Sequence, residues 1–378
     1  MGAQPVITSL KRNVPLRETL GWFAVTRNVL LVLGYFTRRQ MAAGADSDYV
    51  WHYSSHWWLD IWGVWDSGWY LQIARNGYPA GDAAALGDTA EYAFFPLYPM
   101  LMRWLAPIFH NEFIAGIVLS NLALLLSGMV LYRLVEHQFG RGPARWAVVA
   151  LFLFPVSFIL SGVFTESLFL LFTLLAFRQA QLRQWWWVGV FGLLAGLTRS
   201  LGLLLVLPMA WEYMHSKGWR WRAIRPGILW LALIPLGYVT HGYLTYRLTG
   251  DFFALFHLVP AWGGSWQFPL LRLWEGLGSP YPFMPLFALF GSTALILLLA
   301  YVRKLPFSYV IFGLYCLLVP ASLGLMSMPR HSLVVFPLFV ALALAAERFW
   351  LRLILFSALA ALQVVLAVHW FQGSTLVV

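Results

Sequence analysis

The sequence FIAGIVLSNLALLLSGMVL, residues 113–131, runs for 19 residues without a charged side chain. A helix needs about 20 predominantly apolar residues to cross the hydrocarbon core of a bilayer. The stretch therefore predicts a membrane-spanning helix. Similar apolar segments occur along the whole chain, at Leu20–Phe36, Trp146–Val163, Ser167–Phe177, Trp185–Leu197, Leu201–Met214, Ile228–Tyr246, Phe283–Tyr301, Phe307–Met326, Leu333–Ala346 and Phe349–Phe371.

The composition agrees with a polytopic membrane protein. Hydrophobic residues make up 61% of the 378 residues and charged residues 11%, whereas soluble domains average about 25% charged residues. A water-soluble fold and intrinsic disorder are thereby excluded. The lone Cys316 excludes a disulfide framework and a cysteine-based zinc site. Nucleic-acid binding is a poor explanation of the net charge of +10, because no basic stretch combines with a folded polar surface. We expect a single all-α membrane domain over residues 1–378.

The basic residues decide how this domain crosses the membrane. The segment Trp185–Met214 is one long helix or two short ones hinged at Thr198-Arg199-Ser200. The two-helix alternative places the basic run 217–225 in the cytoplasm, as the positive-inside rule prefers. It gives about eleven crossings and puts two long polar connections, 37–112 and 248–282, on the extracytoplasmic side. A transporter binds near the midplane, so a long, acidic and aromatic outer loop favours an active site at the membrane surface.

The first outer loop contains a short predicted surface helix. Trp65-Asp66-Ser67-Gly68-Trp69-Tyr70 opens this helix, and Arg75-Asn76-Gly77-Tyr78-Pro79 stops it. Asp66 is expected to cap the helix, which is worth about 0.5–2 kcal/mol. It is equally a carboxylate at the membrane boundary that can accept a proton from a hydroxyl. A second surface helix is predicted at Met100–Leu105, after Glu91–Pro99.

Two other features of this loop have structural and functional interpretations. Most of its tryptophans are typical of an interfacial belt, while one or two of them are candidates to stack on a sugar or to seat a lipid tail. Asp46-Ser47-Asp48 is a D-x-D triplet, which can hold a divalent cation but is more readily explained as solvated loop.

Charged residues recur at the outer ends of helices. Thr165-Glu166 precedes an apolar helix and suits a cap, and Arg199 and Arg330-His331 are explained singly by snorkelling. Together, however, the predicted topology brings Asp66, Glu166, Arg199 and Arg330 to one surface. A carboxylate that takes a proton, with arginines that neutralise the charge developing on a phosphate, is the minimal set of side chains for displacing a phosphate leaving group. No Gly-rich phosphate loop, H-E-x-x-H or G-x-S-x-G motif occurs.

At these residues the chain resembles the second mannosyltransferase of GPI-anchor synthesis (the PIG-V family) and its bacterial relatives, within the GT-C superfamily. The matching motifs span most of the chain and are WDSGWYLQIARNGY at Trp65–Tyr78, FFPLYP at Phe94–Pro99, Ser120-Asn121-Leu122, FPVSF…TESLF from Phe154 to Phe169, LTRSLG at Leu197–Gly202 and PRHSLVVFPLF at Pro329–Phe339. Eukaryotic members often differ at Gly68-Trp69, and the chain is compact, so the resemblance is to the bacterial relatives without a GPI acceptor.

The resemblance implies a GT-C fold in a bacterial plasma membrane, with Asp66 as the catalytic carboxylate facing the extracytoplasmic side. It implies a polyprenyl-phosphate-linked mannose donor and an inverting, metal-independent transfer to a glycan, glycolipid or protein acceptor. Glu166, Arg199 and Arg330 are then expected around the site. Arg330 and Arg199, with His331, are expected to hold the lipid phosphate, and Trp69, Tyr70 or Tyr92 to line the sugar pocket. The alternative functions are a flippase or transporter of lipid-linked sugars that uses the same charges for binding, and a non-catalytic scaffold subunit.

Overall fold

The computed structural model of the protein describes residues 14–42, 52–81, 90–260, 263–374 and 376. These residues form helices and contain no β-strand, which confirms the predicted all-α fold. The α-helices are α1 Val14–Ala42, α2 Trp57–Asp60, α3 Ser67–Asn76, α4 Leu97–Phe109, α5 Glu112–Phe139, α6 Arg141–Leu153, α7 Glu166–Gln181, α8 Trp185–Thr198, α9 Val206–Ser216, α10 Leu233–Thr249, α11 Ala254–His257, α12 Pro269–Leu277, α13 Met284–Ala300, α14 Phe307–Leu323, α15 Met328–Leu333, α16 Phe336–Ala345 and α17 Phe349–Phe371. The 3-10 segments are Ala90–Ala93, Ser157–Ser161, Ser200–Leu205, Trp221–Ala223 and Pro226–Ala232.

Several of these helices can cross a membrane. In the described part of the chain, four are long and apolar enough by length and composition, namely Pro15–Met41, Glu112–Phe139, Pro226–Thr249 and Phe349–Phe371. The helices α8, α13, α14 and α16 are apolar but shorter. The chain is therefore a multi-pass membrane protein, and the number of eleven crossings stays a prediction.

The apolar segment Trp146–Val163 does not form one continuous helix. Helix α6 ends at Leu153, Phe154 is extended, and the 3-10 segment Ser157–Ser161 follows. Pro155 explains the break, because proline disfavours a helical conformation in the residue before it and lacks an N–H of its own. The chain reaches α7 only at Glu166, after an irregular passage over 154–165.

The hinge predicted at Thr198-Arg199-Ser200 is present. Helix α8 ends at Thr198, Arg199 is extended with φ −152° and ψ 150°, and the chain continues through the 3-10 segment into α9. Helix α10 packs closely against the end of α8, because a Cβ on Gly237 would lie 2.6 Å from the carbonyl carbon of Gly196. This glycine contact fixes the position of the hinge.

The surface helices of the first outer loop lie against the membrane helices. Helix α3 ends as predicted, with Gly77 at φ 79°. Helix α4 is longer than the predicted Met100–Leu105 because it begins directly after Pro96 and accommodates Pro99 in its first turn, where no N–H is required. Both helices contact α5, and α5 packs against α7. The outer loop is therefore held beside the beginning of α7.

Candidate active site

Arg330, near the start of α15, joins two carboxylates that are distant in sequence. Its Nη1 lies 2.6 Å from Oδ2 of Asp66, and its Nε lies 3.0 Å from Oε1 of Glu166. The exposed side-chain fractions are 8% for Arg330, 0% for Glu166 and 17% for Asp66. The two ion pairs are thus largely shielded from water. Charge-assisted hydrogen bonds are stronger in such an environment than in water.

Arg199 completes a chain of alternating charges. Its Nη1 lies 2.6 Å from the same Oε1 of Glu166 and 2.9 Å from Oγ1 of Thr165. Thr165 Oγ1 also lies 3.1 Å from the hydroxyl of Tyr70. The order Asp66, Arg330, Glu166, Arg199 therefore places two negative and two positive side chains in one connected group.

Three consecutive residues, Phe164, Thr165 and Glu166, hold both guanidinium groups, and we call them the arginine cradle. The Cζ of Arg330 lies 4.8 Å from the ring centroid of Phe164 in a cation–π contact. Glu166 binds both arginines, and Thr165 binds Arg199. The predicted capping role of Thr165 is wrong, because its side chain makes no cap hydrogen bond to the start of α7.

Asp66 also departs from its predicted role as a helix cap. It stands at the N-cap position of α3, but its backbone is already helical at φ −60° and ψ −12°, and its side chain makes no cap hydrogen bond. A cap is worth about 1 kcal/mol, whereas a hydrogen bond to a charged group contributes about 1.5–3 kcal/mol. The carboxylate therefore turns to Arg330.

Side chains of neighbouring helices hold the irregular passage that carries the cradle. Asn121 Nδ2 donates to Ser161 O at 3.2 Å, Ser67 Oγ donates to Val163 O at 3.3 Å, and Ser120 Oγ donates to Phe164 O at 3.3 Å. Non-helical backbone at membrane depth is tolerated only where protein groups satisfy it. These bonds supply partners that a regular helix would have provided itself.

Arg27 of α1 and Gln363 of α17 act at the start of the same passage. Arg27 Nη1 donates to Ser157 O at 3.0 Å and to Ser161 Oγ at 2.9 Å, and Gln363 Nε2 donates to Phe154 O at 3.0 Å. Arg27 and Gln363 are each only 5% exposed. Two helices distant in sequence therefore hold the break after α6.

Three members of the charged group, Asp66, Arg199 and Arg330, line a cavity with a volume of about 360 Å³. Asp66, Tyr70, Thr165, Arg199, Arg330 and His331 line its polar part. Its apolar wall comes from α11, from the connection after α11 and from the end of α14, and it includes Leu255, Leu258, Val259, Val319, Pro320 and Leu323. The cavity thus presents charge on one side and hydrocarbon on the other.

A second, larger space of about 710 Å³, which we call the groove, runs between α9 and α14. Its walls are mainly apolar and aromatic, with Leu207, Ala210, Trp211, Met214, Leu314 and Leu318 among them. Val319 of α14 lines both the groove and the cavity. The groove and the cavity therefore adjoin at this residue of α14.

The environment fixes the protonation of three side chains around the cavity. Burial, followed by the positive charges of Arg199 and Arg330, lowers the pKa of His331 to about 3, so this imidazole is neutral near pH 7. Burial, followed by Glu166, raises the pKa of the Tyr70 phenol. Burial by itself lowers the pKa of Arg330, but Glu166 and Asp66 outweigh it and hold that pKa above its ordinary value.

The structure brings together most of the site residues predicted from sequence, with two exceptions. Trp69 does not line the cavity and stacks instead on Phe94 at 6.3 Å between ring centroids. Tyr92 does not line it either; its ring is fully buried, and its hydroxyl donates to Pro79 O. The backbone turn over Glu91–Phe94 directs Tyr92 into a small cluster with Ala254 and Leu258.

Sequence reasoning missed Phe164 as an arginine contact, and it missed Thr198, Ser200 and Ser327 as cavity-lining residues. In the sequence, Phe164 is one more apolar residue before a helix. Only its position next to Thr165-Glu166 indicated a role at the site. Ser327 has a left-handed backbone at φ 66°, which no local pattern indicated.

The candidate metal ligands Asp46 and Asp48 lie outside the described residues. Among the residues that are described, no group of three or more histidine, cysteine, aspartate and glutamate side chains could hold a metal ion.

The chain is similar to known proteins both in sequence and in fold. The sequence model of the mannosyltransferase (PIG-V) family matches residues 40–218, which include Asp66, the arginine cradle and Arg199. No curated protein matched the chain. Among solved structures, the chain is similar to the crystal structure of ArnT from Cupriavidus metallidurans bound to undecaprenyl phosphate. The TM-score is 0.51 at 15% identity, covering 94% of this chain and 76% of that chain. The chain therefore has an all-helical fold similar to that of ArnT, a GT-C membrane glycosyltransferase, and its residues 40–218 match the sequence model of the mannosyltransferase (PIG-V) family.

Proposed function

We propose that the protein is a membrane mannosyltransferase that moves mannose from a polyprenyl-phosphate donor to an acceptor hydroxyl, with Asp66 as the general base. The observation that carries this proposal is the contact of Asp66 with Arg330 in a cavity that Arg199 also lines and that adjoins the apolar groove at Val319. The family match and the GT-C fold support glycosyl transfer as the reaction class.

The reaction balances with the side chains present. The acceptor hydroxyl attacks the anomeric carbon and gives its proton to Asp66. A carbon–oxygen bond to the acceptor forms as the carbon–oxygen bond to the phosphate breaks, and the electron pair of that bond stays on the phosphate oxygen. Arg330 and Arg199 neutralise the charge that develops there. The leaving phosphate needs no proton because it is stable as an anion.

The burial of Glu166 supports inversion of the anomeric configuration. A retaining enzyme needs a second carboxylate that attacks the sugar, about 5–5.5 Å from the first. Glu166 is the other carboxylate bound to Arg330, but it is 0% exposed and does not line the cavity. A single displacement assisted by Asp66 fits this arrangement.

The groove supports a lipid-linked donor. Its apolar walls between α9 and α14 suit a polyprenyl chain, and Val319 marks where that chain would meet the cavity. The similar ArnT structure holds undecaprenyl phosphate, which favours the same class of lipid here. Neutral Tyr70 and His331 would offer uncharged hydrogen-bonding groups to the sugar or phosphate, and His331 would not act as a cation.

We infer further that the two guanidinium groups, rather than a divalent cation, neutralise the phosphate. Both arginines line the cavity and are already fixed by Glu166. Transfer should therefore persist in excess EDTA. The resemblance to the bacterial relatives supports a bacterial plasma membrane, and the distribution of basic residues supports a cavity on its extracytoplasmic side.

The test is transfer by the purified protein. Labelled polyprenyl-phosphate mannose is offered with a panel of glycan, glycolipid and peptide acceptors, and the anomeric configuration of the product is determined by NMR. We expect transfer with inversion, and a decrease of at least about 10²-fold in Asp66→Asn. Glu112→Gln removes a carboxylate that pairs with Arg75 outside the cavity and should retain activity.

Two outcomes would contradict the proposal. Turnover retained in purified Asp66→Asn would remove Asp66 as the base. Movement of intact lipid-linked sugar across vesicles, without a new glycosidic bond, would instead support the transporter alternative.

A further inference from the structure

The two carboxylates bound to Arg330 differ in how firmly they are held. Oε1 of Glu166 lies within hydrogen-bonding distance of Nε and Nη2 of Arg330 and of Nη1 of Arg199. Glu166 is fully buried behind the arginines. Asp66 contacts Arg330 through Nη1 alone, lies on the cavity wall and makes no cap bond to α3. Glu166 is thus the inner, fixed anion, and Asp66 is the outer anion that can leave.

The charges of this group already cancel without a substrate. Asp66 and Glu166 contribute two negative charges, and Arg199 and Arg330 contribute two positive charges. A phosphate that enters the cavity therefore meets no guanidinium lacking a counter-ion within this group. In a site of low dielectric constant, a third anion is accommodated best when one resident anion moves away from the arginine.

We propose that Asp66 is a resident counter-ion of Arg330 that the donor phosphate displaces. The event that seats the phosphate on Arg330 then also releases the carboxylate toward the acceptor hydroxyl. The inference rests on the proposed function, since it assumes a phosphate-bearing donor and Asp66 as base. It makes binding ordered, with the donor before productive binding of the acceptor.

The test measures equilibrium binding of undecaprenyl phosphate to the purified protein in nanodiscs, with undecaprenol as a neutral probe of the same chain. Removing the displaced anion should tighten phosphate binding. We expect Asp66→Asn and Asp66→Ala to bind undecaprenyl phosphate at least about tenfold more tightly than the wild type, since a charged hydrogen bond no longer has to be broken. Undecaprenol should bind all three proteins equally, which also reports that the variants are folded.

A double-mutant cycle separates displacement from simple repulsion between two anions. In an Arg330→Gln background, the guanidinium for which both anions compete is absent, so the gain from Asp66→Asn should disappear. Plain repulsion would leave that gain in place, because Asp66 would still lie near the phosphate. Glu112→Gln removes the same charge outside the cavity and should leave binding unchanged.

A structure of the wild type with undecaprenyl phosphate gives a direct measurement. We expect the distance from Arg330 Nη1 to Asp66 Oδ2 to increase from 2.6 Å to a value outside the range of an ion pair. A contact that persists beside the bound phosphate, or unchanged or weaker binding in Asp66→Asn, would overturn the inference while leaving mannosyl transfer intact. Failure of the wild type to bind the phosphate in preference to undecaprenol would reject the donor, and with it both proposals.

Discussion

Both Nε and Nη2 of Arg330 contact a single oxygen of Glu166, Oε1, at 3.0 Å and 2.9 Å. Nη1 of Arg199 reaches the same oxygen at 2.6 Å. Oε1 of Glu166, at the start of α7, therefore links the hinge after α8 to α15. The second oxygen, Oε2, is buried and has no hydrogen-bond partner among the described residues.

Glu166→Gln should weaken both the fold and the site. The amide preserves the shape of the side chain but leaves two buried guanidinium groups without their shared anion. Breaking a buried charge network costs about 3–5 kcal/mol, so we expect a clearly lower thermal unfolding midpoint in detergent. Glu112→Gln breaks the partly exposed pair with Arg75, worth about 0–1 kcal/mol, and serves as the control. Equal midpoints for the two variants would contradict a central role of Glu166.

His331 should make the fold sensitive to acid. Its pKa in the folded chain is about 3, held down by burial and by Arg199 and Arg330, against an ordinary value of 6.5. Between these values the unfolded chain binds a proton that the folded chain does not, so stability falls as the pH drops from about 6.5 toward 3. We expect His331→Gln to lose less stability than the wild type between pH 7 and pH 5 in thermal unfolding scans. Parallel pH profiles would refute this assignment.

Ala210→Trp should shorten the groove available to a lipid chain. Ala210 lines the groove on α9, and an indole there would occupy space that a long polyprenyl chain needs. We expect kcat/KM to fall for an undecaprenyl donor and to change little for a two-isoprene donor. Leu229→Trp adds the same indole at a position that is 70% exposed and outside the groove. An equal loss for both donors in Ala210→Trp would argue against the groove as the lipid site.

Arg27→Met should destabilise the break after α6. The guanidinium donates to Ser157 O and Ser161 Oγ, and methionine would leave both without that donor. Polar contacts between membrane helices average about 0.6 kcal/mol and reach about 1.7 kcal/mol each. For these two contacts we expect the free energy of unfolding to fall by about 1–3 kcal/mol, with a smaller decrease for Arg27→Lys. Arg39→Met, near the exposed end of α1, removes a hydrogen bond and a cation–π contact with Tyr35 and is the matched control for unfolding measurements.

The sequence predicted the end of helix α3 in the first outer loop correctly, but it did not predict the contact that Asp66 makes at the start of this helix. The stop at Asn76-Gly77 was predictable because glycine is the residue best suited to the left-handed conformation at φ 79°. The cap at Asp66 was equally reasonable from its position. It does not form because a guanidinium from α15 offers the carboxylate a stronger bond, and nothing within a few residues of Asp66 reveals that partner.

Local patterns determined where helices form, where proline and glycine break them, and that the chain lies in a membrane, because apolar runs and turn residues act over a few positions. Only the tertiary structure decided which charges meet. Asp66 and Arg330 are 264 positions apart, and Glu166 and Arg330 are 164 apart. Their contact depends on how α3, α7, α8 and α15 pack, and the irregular passage held by α1, α5 and α17 sets where α7 begins. Trp69 and Tyr92 turn away from the cavity for the same reason, since the rotation of a segment against its neighbours decides which side chains face a cavity.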